Sequence, residues 1–215
     1  MEINENSITV VGCGPGSADY LMPVAIKAIT QAQVLVGAPR LLGLFPKSHA
    51  KRIIVSGHID HILDEIQHAL EERTSVAVLV SGDPGIFSLA RCVTNRFGVS
   101  RCRVIPAVSS VQTAFARIGL DWHDAKIMSA HHTLPEKQTL NCDTPTKIAI
   151  LAGHKGIKPW LSELLSNQDE DTDIVVCENL TLENEMIQTI TPSQVNQIEF
   201  SSRTIILVIN QEARS

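Results

Sequence analysis

Ile8-Thr9-Val10-Val11-Gly12-Cys13-Gly14-Pro15-Gly16 is a β-branched run that breaks abruptly into a glycine-rich turn. A buried strand followed by such a turn is how a parallel α/β sheet begins, because glycine lets the backbone bend tightly and approach a neighbour or ligand closely. Further short β-branched runs lie at residues 34–36, 53–55, 76–80 and 103–105. Between the third and fourth, Ile59, Ile62, Leu63, Ile66, Ala69 and Leu70 recur at helical spacing, and Ala25, Ile26, Ala28, Ile29 and Ala32 follow Pro23 in similar fashion. Strands alternating with amphipathic helices predict βαβ units around a parallel sheet.

Residues 119–124, Gly-Leu-Asp-Trp-His-Asp, form a polar break. A domain junction is expected there, with an N-terminal domain over 1–119 and a C-terminal domain over 120–215. The second domain should carry strands at 126–129, 147–151, 174–177 and 204–209 and a helix near 159–165. Thr191-Pro192-Ser193-Gln194 reads as a helix start, with Thr191 as cap and Pro192 at the first position.

The 215 residues are 44% hydrophobic and carry a net charge of −5, enough apolar material for an ordinary core. Basic residues are scattered rather than striped, which argues against nucleic-acid binding. The N-terminus lacks the basic and apolar regions of a secretory signal, and no apolar run reaches the roughly 20 residues of a membrane span. A cytoplasmic protein with no membrane partner is expected. Cys13, Cys92, Cys102, Cys142 and Cys177 form no CxxC pair and read mostly as small core residues. His58, His61 and His68 could share a helical face, and His131 adjoins His132. Without HExxH or comparable spacing they read as solvated or capping side chains, and no metal site is expected.

Three loops carry the chemistry. The first is the turn after residue 12, which is not the dinucleotide fingerprint: Pro15 removes an amide donor, and Val34-Leu35-Val36-Gly37-Ala38-Pro39 has no acid for a ribose. The second, Ser81-Gly82-Asp83-Pro84-Gly85, follows the fourth strand, where open α/β sheets place ligands. Asp83 there would accept hydrogen bonds from a ligand or cap the following helix. The third, Pro106-Ala107-Val108-Ser109-Ser110-Val111, again leaves a strand and opens a helix. Three small-residue loops at three strand ends point to a shared pocket.

The GxGPG, GDPG and Pro-x-x-Ser-Ser loops, in this order and spacing, resemble the tetrapyrrole (corrin and porphyrin) methylase family, over essentially the whole chain. Ser109 to Ala114, Ala116-Arg117, Gly119-Leu120, Trp122 and Asp124-Ala125, then Cys177-Glu178-Asn179-Leu180 with Glu183, Asn184 and Glu185, resemble its precorrin C-5 methyltransferase branch. Pro106-Ala107 departs from the family's frequent Pro-Gly, which bears on the conformation of the third loop.

The resemblance implies a two-domain tetrapyrrole methylase fold, with a mainly parallel N-terminal sheet and a mixed C-terminal sheet. It implies S-adenosylmethionine as cofactor in a cleft between the domains, a tetrapyrrole substrate and a homodimer. Carried onto this sequence, the cofactor contacts are Pro15, Ser81, Gly82, Asp83, Ile86, Ser109, Ser110, Ala152 and Leu180. No catalytic acid or base is singled out: a sulfonium methyl is already activated, and alignment of the reacting atoms can supply about 7–11 kcal/mol. Substrate carboxylates call for cations, for which Arg40, Arg52, Arg117 and Lys155 are candidates. The resemblance takes up residues 8–209, so C-5 methylation alone is expected, with the linked C-15 methylation and decarboxylation left to a separate enzyme and the early-cobalt route implied. Alternatives are another acceptor within the family, including the modified histidine of diphthine synthase, or a nucleotide-binding oxidoreductase or regulator. The missing ribose acid and the missing Lys-Ser/Thr phosphate loop argue against the last two.

Overall fold

The computed structural model describes residues 7–136, 146–166 and 172–210; Cys142 lies outside them. In the first unit, which ends at Ser109, five strands run parallel: β1 (Ile8–Gly12), β2 (Val34–Gly37), β3 (Lys51–Ile54), β4 (Val76–Val80) and β5 (Cys102–Ile105). Their order is β3-β2-β4-β1-β5. Alternation along the strands feeds two cores. Val10, Val36 and Val78 face α3 (Ile59–Glu71) and α4 (Ala90–Phe97), while Val11, Leu35 and Leu79 face α1 (Pro23–Gln31) and α2 (Pro39–Gly43). Helix α3 buries Ile62, Leu63, Ile66 and Leu70 as its spacing predicts, each contributing roughly 1.5–3 kcal/mol of apolar transfer.

In the second unit, which begins at Ser110, β6 (Lys126–Ser129), β7 (Lys147–Leu151), β8 (Asp173–Glu178), β9 (Met186–Ile190) and β10 (Thr204–Ile209) form a mixed sheet in the order β6-β7-β10-β8-β9. Only β6 and β7 pair in parallel. Helix α6 (Ile157–Leu165) covers one face, where Trp160 is buried and its indole N–H donates to the Pro135 carbonyl at 3.1 Å. Helix α5 (Ser110–Arg117) covers the other through Val111, Ala114 and Phe115.

That packing explains a difference from the sequence reading. The break at 119–124 is a turn inside the second unit, because α5 buries its apolar face on the second sheet. Lys147 is also buried there, its ammonium 2.9 Å from Asp121 and 3.0 Å from Asp124. At Thr191 a capping box with Gln194 starts a 3-10 helix, Pro192–Gln197. Strand β9 was not expected from the sequence: Met186 and Ile187 are both exposed, so the run shows no one-sided alternation. Among the described residues, no helix is long and apolar enough to cross a membrane.

Candidate functional site

Strands β1 and β4 are neighbours, yet the helix after β1 packs on one face of the first sheet and the helix after β4 on the other. Adjacent parallel strands whose connections diverge leave a crevice at their carboxyl ends, which is where such sheets bind ligands. The first two glycine loops meet there. Gly14 and Gly82 form an isolated antiparallel bridge, with the Gly82 amide donating to the Gly14 carbonyl at 2.8 Å. Both occupy left-handed backbone, at φ 75° and 64°, where a side chain would be strained.

The third loop joins them. A Cβ built on Gly12 would lie 2.6 Å from the Ala107 Cβ, 2.8 Å from Pro84 Cδ and 2.9 Å from the Gly82 carbonyl oxygen. Glycine is therefore needed at position 12 for the loops to approach one another. Asp83 binds the arrangement together: one carboxylate oxygen accepts the Gly85 N–H at 2.8 Å and the other the Ala107 N–H at 2.9 Å. It does not cap a helix. Helix α4 starts at Ala90 with Leu89 in the cap position, because the loop continues past Asp83 through Phe87, an exposed residue at φ 43°. Pro15 and Ile86 are partly exposed on these loops, Ser81 is exposed and Ser109 is buried.

In the second unit, Ser129, Leu151, Ile205 and Cys177 stand in one row across β6, β7, β10 and β8. Ala152 and Leu180 follow just beyond that row, both buried, and Ser110 opens α5. The turn after β8 is strained. Asn179 and Thr181 have φ of 50° and 67°, an outlier for a β-branched threonine. Glu185 pins this turn by accepting the Thr181 N–H and takes the Arg117 guanidinium in a fork at 2.7 and 3.1 Å. The fork first, and the Thr181 amide second, hold the Glu185 carboxyl below its ordinary range. A lowered carboxyl pKa stabilises the fold above the ordinary glutamate value and loses that contribution as acidification passes the folded value. Glu185→Gln is therefore expected to be less stable than wild type at neutral pH, with the gap closing in urea titrations as the pH falls below the ordinary glutamate range. A gap independent of pH would show that the carboxylate charge does not pin the turn.

The four candidate cations have different local settings. Arg40 on α2 donates to the Ser81 hydroxyl at 3.0 Å, beside the first loops. Arg52 on β3 holds the Phe45 carbonyl at 2.9 Å. Arg117 has its fork on Glu185, and Lys155 is exposed in the loop after β7. Neither the Arg40–Ser81 pair nor the pinning of Thr181 has a spacing signal, since both join positions far apart or in irregular turns. Glu185 was visible only as part of the quoted C-terminal motif.

Cys13 and Cys177 are buried and their thiols are pushed up to about 12, mainly by burial, so neither is a nucleophile at neutral pH. Cys92 is the exposed one among the described cysteines, on the outer face of α4. His61 and His68 lie exposed on α3 near glutamates, and His58 occupies its cap position without a side-chain hydrogen bond. Among the described residues, Asp121, His123 and Asp124 come within metal-ligand reach of one another, but the Lys147 ammonium already sits between the two carboxylates.

The family described as Tetrapyrrole (Corrin/Porphyrin) Methylases matches residues 7–195. The cobalt-precorrin-7 C(5)-methyltransferase of Salmonella typhimurium is 30% identical over 201 residues, covering 93% of this chain and 98% of that protein. Among solved structures, the precorrin-6Y methylase of Archaeoglobus fulgidus is 29% identical, with a TM-score of 0.71 over 96% of this chain and 99% of that one. The uroporphyrin-III C-methyltransferase of Thermus thermophilus, complexed with S-adenosyl homocysteine, has a TM-score of 0.76 at 19% identity, covering 94% of this chain and 92% of that one. At that identity it shows a shared fold.

Proposed function

The chain belongs to the tetrapyrrole (corrin/porphyrin) methylases, and on that footing we propose that it transfers a methyl group from S-adenosylmethionine to C-5 of a cobalt-precorrin on the route to cobalamin. The observation that carries this reading is the similarity to a C(5)-methyltransferase along 98% of that enzyme's length. The donor supplies an electrophilic sulfonium methyl, so the protein's task is to hold ring carbon, methyl and sulfur in line and to exclude water.

The residues at the strand ends suit a nucleoside bearing an amino acid. They offer apolar Pro15 and Ile86, the hydroxyls of Ser81, Ser109 and Ser110, and the backbone at Gly82, Ala152 and Leu180. We assign these as the cofactor contacts. Asp83 acts one step back: its two oxygens hold backbone amides of the second and third loops, so it positions the loops that bind. For substrate carboxylates the proposal keeps Arg40 and Lys155 and gives Arg52 and Arg117 structural tasks. The enzyme is proposed to act as a homodimer in the cytoplasm and to leave C-15 to another enzyme.

Purified protein incubated with cobalt-precorrin-7 and labelled S-adenosylmethionine is expected to add one methyl, located at C-5 by isotope-edited NMR, without release of carbon dioxide. A label at another carbon, or decarboxylation by this chain alone, would overturn the C-5 reading.

A further inference from the structure

A cavity of about 760 Å³ opens in the first unit away from the glycine loops. Its walls are the turn from α1 to β2 and the connection from α2 to β3. Gln33 immediately precedes β2 and Ala50 immediately precedes β3, so the cavity lies at the amino ends of these parallel strands. The glycine loops follow carboxyl ends of the same sheet. Strand β2, with four residues, separates the two ends by about 13 Å.

The walls are tied together by hydrogen bonds. Gln33 Oε1 accepts the Ser75 N–H at 2.9 Å, and the Gln33 carbonyl accepts the Lys51 N–H at 2.9 Å. The Phe45 carbonyl takes the Ser48 N–H at 3.2 Å and the Arg52 guanidinium at 2.9 Å. The Ser48 hydroxyl in turn accepts the Ala50 N–H at 3.3 Å. The floor is apolar: Ala32, Leu44, Phe45 and Ala50 are the partly buried edge of the core behind α1 and α2. A preformed apolar hollow of this size, with a few polar groups at its edge, is the usual form of a small-molecule site.

Charge selects the occupant. Among the described residues that line the cavity, Lys47 is charged, His49 offers a ring N–H, and neither aspartate nor glutamate is present. The bias extends along the chain. Residues 20–59 contain Lys27, Arg40, Lys47, Lys51 and Arg52 and no acidic residue, although the whole chain carries −5. A surface region of one sign attracts the opposite charge. One lysine beside one histidine matches a single anionic head, since Arg52 is committed to the Phe45 carbonyl. We propose that this cavity binds a small apolar monocarboxylate, its body on Leu44 and Phe45 and its carboxylate at Lys47 and His49. The site is separate from the proposed methyl transfer and does not depend on it.

The test titrates the intact protein, labelled at its alanine and leucine methyls, with octanoate and with 2-naphthoate, which separate an acyl chain from an aromatic ring as the apolar body. At least one should bind at one equivalent per chain by calorimetry and shift the methyls of Ala32, Leu44 and Ala50. Octanol and 2-naphthol, with the same bodies and no charge at neutral pH, should bind more weakly than the matching acids. K47E, a change at an exposed position, should weaken the acid at least about fivefold while S-adenosylhomocysteine affinity stays within about twofold. The proposal is overturned if neither acid binds, if the shifts fall on Ala107 of the third loop instead, or if the uncharged twin binds as tightly. It is equally overturned if K47E leaves the acid's affinity unchanged, or if K47E alters the oligomeric mass in light scattering, since the cavity would then be a contact between copies of the chain. A protein that binds the acid at these methyls but transfers no methyl group would lose the proposed function and keep this site.

Discussion

Gly12→Ala is expected to weaken cofactor binding by an order of magnitude or more. The added methyl would meet Ala107, Pro84 and the Gly82 carbonyl, all inside 3.0 Å, and two of these contacts belong to loop backbone or a rigid proline ring. Overpacking of this kind costs about 1–3 kcal/mol of stability. The larger effect falls on binding, because relief requires the three loops to separate at the crevice between β1 and β4. A loss of at least about tenfold in S-adenosylhomocysteine affinity, equivalent to about 1.4 kcal/mol, is expected by calorimetry. Gly43→Ala is the control: a Cβ there meets nothing within 4 Å, and stability should move by less than about 0.5 kcal/mol. Wild-type affinity in a folded Gly12→Ala protein would detach the loop junction from cofactor binding.

Asp83 is the second sensitive position. Its carboxylate satisfies two backbone amides from two loops, and hydrogen bonds to a charged acceptor contribute about 1.5–3 kcal/mol each when buried. The site is partly open to solvent, so Asp83→Ala is expected to cost about 2 kcal/mol in urea unfolding, with weaker binding of S-adenosylhomocysteine. Asp83→Asn is informative because it is close in shape. It keeps one acceptor oxygen but presents an NH2 group to the other amide, setting donor against donor, and should lose about half as much stability. An Ala variant with wild-type stability and affinity would remove Asp83 from both roles.

Strand placement was legible wherever one face or both had to be apolar. Strands β1, β4, β6, β7 and β10 match their β-branched runs residue for residue. Strand β3 begins earlier than expected, at Lys51, because an edge strand tolerates the exposed Lys51 and Arg52 that its sequence offers. The glycine loops were legible as turns at strand ends. Their partners were not: that Gly12 serves Ala107, or that Asp83 holds the Ala107 amide, depends on β1 lying between β4 and β5, which no local pattern encodes. The membership of α5 was hidden for a similar reason. Val111, Ala114 and Phe115 mark an apolar face without saying which sheet it covers. His131 was read as one of several solvated or capping histidines, and its burial depends on the passage of Gly153 over its ring.

Both tryptophans, Trp122 and Trp160, belong to the second unit, one 44% exposed and the other 9%. Intrinsic indole emission therefore reports on that half of the molecule, chiefly through the Trp160 ring beneath Pro135. Circular dichroism at the amide bands samples both halves through their helices and strands. Coincident transitions in the two signals would mean that the halves melt as one cooperative system, whereas an ellipticity change preceding or trailing the emission change would resolve the unfolding of the tryptophan-free half.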